Sequence, residues 1–329
     1  MIDLHLHLDG SLTSDDVEYL AHIQQVQLPE GFEKKICVPS YCLSLNDYLK
    51  RFTIPLSVLQ SKETLKAGTK RLLDRLQSQG LIYVEIRFAP QFHTKLGLTQ
   101  KEVVQAVLEG RKESSLKSNL ILCCMRNDRN GKKNRETIDL AKEFLNKGVV
   151  AIDLAGAEGL YPTSMFEPLF NYAKEQGVPF VIHAGEADGV ASMQSALDFG
   201  AKRIGHGVRA IRSEKLMERL KESQIPLEMC ITSEVQTKAI SSLEACPLKP
   251  MLEKGLNITI NTDDMGISNI TLNSEFALIK NHFKIHKPQI KKLIMNSLKA
   301  SFLSEEEKKE LKKEFESKFD SWYSSLPTV

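Results

Sequence analysis

No stretch of the 329-residue sequence comes near the roughly eighteen uninterrupted apolar residues that a membrane helix needs, so a helical membrane span is not expected. A basic stretch leading into an apolar one is also missing at the start. The chain opens MIDLHLH, which reads as cytoplasmic rather than exported sequence. No C-x-x-C occurs among the cysteines at 37, 42, 123, 124, 230 and 246, and Cys123 and Cys124 are adjacent inside an apolar run. That usage fits buried, reduced thiols and excludes a disulfide framework or a cysteine zinc site. Neither sign of charge dominates: 44 Lys and Arg stand against 42 Asp and Glu, a net charge of +2. Nothing in that balance calls for nucleic acid, a membrane surface or an acidic partner, and no obligate protein partner is inferred. No Gly/Ser/Pro-rich linker or shift in composition divides the chain, so residues 1–329 read as one domain.

What the sequence does have is rhythm. Eight short β-rich apolar runs recur: DLHLHL (3–8), IYVEIRF (82–88), NLILCCM (119–125), VVAIDLA (149–155), PFVIHA (179–184), KRIGHG (202–207), IPLEMC (225–230) and NITINT (257–262). Amphipathic stretches such as ETIDLAKEFLNK (136–147) and EPLFNYAKEQG (167–177) lie between them, the second ending in a glycine suited to close a helix. Strands alternating with helices imply βαβ crossovers and a parallel sheet. Eight such units over about 250 residues make an α/β fold of the (β/α)8 TIM-barrel type. Extra helices follow at the C-terminus, a terminal extension over about 288–325, where Ser304 and Glu307 form a capping box.

In such a barrel the active site lies at the C-terminal ends of the strands, and four of the eight ends carry His or Asp. The first run supplies His5 and His7, which project from the same face because a strand has a period of two, while Leu4, Leu6 and Leu8 face the other way. The fifth ends HAGE (His183, Glu186), the sixth GHG (His206), and the eighth NTDD (Asp263, Asp264). Four unrelated buried polar groups would each need a partner, whereas one divalent cation satisfies them together. A set of nitrogen and carboxylate oxygen without sulfur suits zinc with an open position for water, and iron or cobalt also fit. His5, His7, His183 and Asp263 are the expected ligands, for one metal ion per chain. Such an ion lowers the pKa of bound water from about 15.7 to about 7. His206 is then placed to orient or deprotonate that water, Glu186 to shuttle a proton, and Asp264 to meet substrate.

The blocks HLHLDGSL, DLAG (153–156), HAGE (183–186), RIGHGV (203–208) and NTDD (261–264) together resemble the adenosine deaminases of the amidohydrolase superfamily. They come in that family's order, from residue 5 to about 264, and LEMCITSEVQTKAISSLEACPLK (227–249) is similar to its segment after strand 7. The resemblance implies a zinc barrel that hydrolyses the 6-amino group of adenosine, and of 2′-deoxyadenosine, to inosine and ammonia in purine salvage. Carried over by position, His5, His7, His183 and Asp263 hold zinc, with His7 also beside the substrate. Glu186 protonates N1 of the purine, His206 stabilises the attacking hydroxide, and Asp264 binds N7. The Gly156 amide meets N3, and Asp9 meets a ribose hydroxyl. DLAG carries no lysine to be carbamylated as a bridge, which favours a single metal.

The sequence departs from the family pattern at Ala157, Ile231, Glu234 and Met265, none of them an expected ligand or acid. LNDYLKRFTIPLSVL (45–59) places Leu45, Leu49, Phe52, Leu56 and Leu59 at helical spacing, with Pro55 forcing a bend or a new start. The family resemblance makes this segment a lid over the purine, with Phe52 in the pocket. His22, His93, His282 and His286 read as loop or surface residues. The rival readings are a deaminase of adenine or of a 5′-modified adenosine, a metal-dependent phosphoesterase, and a barrel that binds without catalysis. Asp9 favours the nucleoside, the further histidine clusters of the phosphoesterases are missing, and every ligand and acid is retained. The H-x-E and P-C-x-x-C pattern of cytidine-type deaminases is absent.

Overall fold

The computed structural model describes residues 1–39, 42–127 and 129–327. Eight parallel strands follow in chain order: β1 (Ile2–His7), β2 (Tyr83–Phe88), β3 (Ser118–Met125), β4 (Val149–Ala155), β5 (Ile182–Ala184), β6 (Ile204–His206), β7 (Leu227–Met229) and β8 (Ile258–Ile260). Each falls on one of the eight runs read from sequence. They pair in two ladders, β1-β2-β3-β4 and β5-β6-β7-β8. Backbone hydrogen bonds join the ladders at both seams. Ile152 N donates to Pro179 O at 3.0 Å and Val181 N to Ile152 O at 2.9 Å. On the other side His7 N donates to Asp263 O, and Asp263 N to His5 O, both at 2.8 Å. The sheet is therefore closed into a barrel, and its first strand lies against its last.

Helices form the outer layer: α1 (Ser14–Gln24) and α2 (Lys62–Ser78) between β1 and β2, then α3 (Gln100–Lys112), α4 (Gly131–Glu143), α5 (Glu167–Glu175), α6 (Val190–Phe199), α7 (Glu214–Ser223), α8 (Leu248–Lys254), α9 (Leu272–Asn281), α10 (Lys287–Ala300) and α11 (Glu305–Ser325). Leu4, Leu6 and Leu8 are buried in the large apolar cluster that includes Leu72 and Leu76 of α2 and Leu293 and Ile294 of α10. Gly177, at φ +69°, comes just after Gln176, which caps α5, as the glycine signal predicts. Within the segment expected as a terminal extension, α10 packs over β8 and β1 as a wall helix, and α11 lies on α10. The capping box of Ser304 and Glu307 opens α11, whose Leu311, Phe315, Phe319 and Trp322 are buried.

The centre of the barrel is ionic. Arg87 of β2 reaches Asp153 of β4 and Glu228 of β7, each at 2.9 Å, and all three side chains are fully buried. Arg203, just before β6, pairs with Glu85 at 2.6 Å and with Glu228, while its guanidinium lies 4.4 Å from the Phe302 ring centre. Removing one partner of such a group typically costs about 3–5 kcal/mol, because the other is left buried and unpaired. This network forms a fixed base below the polar mouth.

Candidate active site

The site is built on strand ends and the loops that follow them. β1 ends in His5 and His7, β5 holds His183, β6 ends in His206, and Asp263 and Asp264 follow β8. His206 and Asp263 both sit at φ +63°, in the left-handed region that side chains with a Cβ rarely adopt. Strain of this kind persists only where surrounding structure holds it, and here it turns both side chains toward the mouth.

One carboxylate oxygen is the point of convergence. His5 Nε2 lies 3.2 Å and His7 Nε2 3.3 Å from the same Asp263 Oδ1. The His5 and His183 ring centres are 4.6 Å apart, and those of His7 and His183 5.4 Å. His5, His183, His206 and Asp263 each offer a donor atom within 4.8 Å of the others, and His7, Asp263 and Asp264 form a second such set sharing Asp263. His206 stands on the far side of the shared carboxylate: its Nε2 is 4.0 Å from Asp263 Oδ2 and 3.8 Å from Glu186 Oε2. The other side of Asp263 Oδ2 accepts a hydrogen bond from Ser233 Oγ at 2.6 Å.

The rear nitrogens face carboxylates, and that of His5 is hydrogen-bonded. His5 Nδ1 pairs with Glu228 at 2.9 Å and His183 Nδ1 with Asp153 at 2.8 Å, while His206 Nδ1 faces Glu234 at 3.7 Å. A carboxylate behind an imidazole fixes its tautomer and leaves the front nitrogen free to ligate. His5 Nε2 is such a front nitrogen, buried with no hydrogen-bond partner. That orphan, beside imidazole and carboxylate donors with no thiolate among them, fits a divalent ion of the zinc type.

Titration sorts the groups by role. Burial lowers His5 and takes His183 down to about 3, so both are held neutral, whereas against burial Asp263 and Asp264 raise His7 well above its usual value. Burial pushes Glu186 up to about 7, with Asp263 and Glu158 adding to the rise. Against burial, Glu186, Glu234 and Asp263 raise His206 to about 10. The adjacent aspartates are driven apart. Against burial, His5 and His7 hold Asp263 well below the carboxylate range, whereas burial and the Asp263 charge push Asp264 well above it. Paired groups pushed in opposite directions are a mark of divided acid and base roles.

These groups open into a cavity of about 450 Å³. Asp9, Asp264, Glu186 and Gly156 line its polar side, and Leu45, Leu49, Phe52, Leu56 and Leu160 its apolar side. Residues 45–57 form the lid, with a new helical turn at Thr53–Ser57 around Pro55, and Phe52 meets the His7 ring edge-on at 6.4 Å. Tyr48 OH bonds Ser268 Oγ at 2.8 Å and ties the lid to the segment after Asp264. A Cβ on Gly10 would lie 1.7 Å from Asp264 Oδ1, so the glycine in HLDGSL leaves space for that carboxylate.

All nine residues expected at the site come together at this mouth. Of the departures, Ala157 lines the cavity and Glu234 stands behind His206, while Ile231 and Met265 are buried away from it. His93 is not the loop or surface residue expected from sequence: it is fully buried, and its Nδ1 bonds Leu59 O at 2.9 Å beneath the lid. His22, His282 and His286 are exposed, as expected. Sequence reasoning missed the carboxylates behind the imidazoles. Asp153 and Glu228 carried a signal, a lone charge inside an otherwise apolar strand.

A family model described as Adenosine deaminase matches residues 1–318. The chain is 48% identical over 323 residues to an adenosine deaminase of Haemophilus ducreyi, with 94% of each chain covered. Among solved structures it is similar to an adenine deaminase from Arthrobacter aurescens, with a TM-score of 0.86 and 27% identity over 98% of this chain and 99% of that one. An Arabidopsis N6-mAMP deaminase matches with a TM-score of 0.86 and 27% identity, over 96% of this chain and 97% of that one.

Proposed function

Because the chain belongs to the adenosine deaminase family, matched over nearly its whole length, we propose that it hydrolyses adenosine, and 2′-deoxyadenosine, to the 6-oxo nucleoside and ammonia. The observation that carries this reading is the convergence of two imidazoles on one Asp263 oxygen, facing a buried Glu186 that retains its proton near neutral pH. His5, His7, His183 and Asp263 would hold zinc, one ion per chain, which supplies when bound a Lewis acid that makes water a nucleophile at neutral pH.

The remaining work falls to the chain's own groups. Glu186 delivers its proton to N1 of the purine, which draws electrons from C6. His206, on the Glu186 side of Asp263 and carrying its proton, orients the attacking water and stabilises the oxygen that adds to C6. Asp264, pushed toward its protonated form, donates to N7. The Gly156 amide meets N3 and fixes the ring edge. The new bond is C6–O and the broken one C6–N; of the two water protons one ends on N1, by way of Glu186, and the other on the amino group, which leaves as ammonia.

Substrate size is read from the cavity. Its volume suits a nucleoside, and Asp9 supplies an acceptor for a ribose hydroxyl. A 5′-phosphate needs a cation. Among the described residues lining the cavity, Arg126 is the one Lys or Arg, and its two terminal nitrogens already donate to Tyr161 O, Thr163 Oγ1 and His183 O. The reading therefore favours adenosine over both the free base and the nucleotide. Steady-state kcat/KM should be at least about 100-fold higher for adenosine than for adenine or AMP, since unpaired polar groups reject the wrong partner at this scale. Comparable values for adenine or AMP would overturn the nucleoside assignment. The reading also assigns the enzyme to purine salvage in the cytoplasm, in keeping with its six free cysteines.

A further inference from the structure

Glu158 lies in the loop after β4, is 1% exposed, and has no part in the mechanism above. Its carboxylate accepts four consecutive backbone N–H groups. Oε1 takes Gly185 N at 2.7 Å, and Oε2 takes Glu186 N at 3.0 Å, Ala187 N at 2.8 Å and Asp188 N at 2.9 Å. Those four residues are the turn between β5 and α6, and Glu186 stands in its middle. Arg209 holds the other side of the same turn, with Nη1 donating to Ala187 O at 2.6 Å. Gly185 takes φ +79°, and a Cβ there would lie 2.5 Å from Met193 Sδ. The turn is thus held from two sides, with glycine at the one position where a Cβ would not fit. Burying a carboxylate is costly, and hydrogen bonds to its charge offset that cost only while all four amides point inward.

We propose that Glu158 is a positioning residue for Glu186: its carboxylate gathers the amides of 185–188 and so fixes where the Glu186 carboxyl meets the substrate ring. The role rests on the deaminase reading above. Without the clamp, Glu186 remains present but its approach to N1 is no longer set. A displacement of about 1 Å at a reacting group costs about 100-fold in rate.

The test is Glu158→Gln, which keeps shape but replaces one acceptor oxygen by an NH2 that opposes the amides. With adenosine, kcat should fall about 100-fold while the Kd for inosine stays within about threefold and metal content per chain is unchanged. Backbone hydrogen exchange at 185–188 should accelerate by at least about tenfold, with α7 unaffected. Should Glu158→Gln fail to fold, Glu158→Ala is read with and without formate, and formate should restore at least about tenfold of the lost kcat. The proposal is overturned by a kcat within about threefold of wild type, by unchanged exchange at 185–188, by a loss of inosine or metal binding as large as the loss of kcat, or by failure of formate to rescue. If the wild-type chain itself leaves adenosine intact, the deaminase reading falls, and the exchange measurement still decides whether Glu158 pins the turn.

Discussion

Three of the four imidazoles at the barrel mouth have a carboxylate behind them. Glu228 and Asp153 fix the rear nitrogens of His5 and His183, so their front nitrogens face a common point. The front residues were legible in the sequence because a strand with H-x-H has one geometry: both side chains share a face. The rear carboxylates were not. A charge inside an apolar strand can face any of several neighbours, and only closure of the barrel selects one. Glu158 was harder still, since a loop residue that bonds backbone amides leaves no periodic trace. At this scale Glu186 makes the sharpest expectation. Its folded pKa is about 7, so the protonated form that the proposed acid role needs is held below pH 7 and lost above it. The kcat profile should therefore fall on an alkaline limb with a midpoint near pH 7, and Glu186→Gln should lower kcat by about 100- to 10,000-fold while still binding nucleoside. A profile flat from pH 6 to 9, or a Gln variant near full rate, would remove Glu186 from the acid role.

Among the elements, the strands were the most readable. All eight runs became strands, although β5 to β8 are only three residues long where six were expected. Most of the trimming is at the N-terminal side of the runs, and β5 keeps its C-terminal end at Ala184, while after β6 and β8 the chain leaves the ladder near His206 and Asp263, which take positive φ. Helix α9 shows a cost carried away from the mouth. Its Glu275 is buried and accepts hydrogen bonds from Thr232 N at 3.2 Å and from Thr232 Oγ1. Burial raises its pKa from 4.5 to about 7. The folded state then binds the proton more tightly than the unfolded one, so this contribution is fully present below pH 4.5 and is lost as pH rises through 7. The shift corresponds to about 3 kcal/mol. Glu275→Gln should therefore gain on wild type as pH rises, by up to about 3 kcal/mol between pH 4.5 and 8 in urea titrations. Parallel stability curves for the two proteins across that range would refute a protonated Glu275.

At the scale of the molecule, the site exists only because the barrel closes. His5 and Asp263 are 258 positions apart in sequence, yet Asp263 N donates to His5 O across the β8–β1 seam. The alternation of strands and helices made this juxtaposition legible, since eight parallel units must bring the last strand beside the first. What the alternation does not reveal is the polar interior, where Arg87 and Arg203 replace the apolar layers usual in such barrels. Those guanidiniums hold the carboxylates that hold the imidazoles, so the stability of the barrel and the shape of its mouth share one ionic base. Among the described residues no helix is long and apolar enough to cross a membrane. The most direct test is to strip the protein with a chelator and titrate zinc back while following the loss of adenosine absorbance. Activity should vanish on chelation, rise in proportion to added zinc, and level off at about one ion per chain, as a site of three imidazoles and one carboxylate requires. Full activity in the stripped protein, or a plateau without bound metal, would contradict the account.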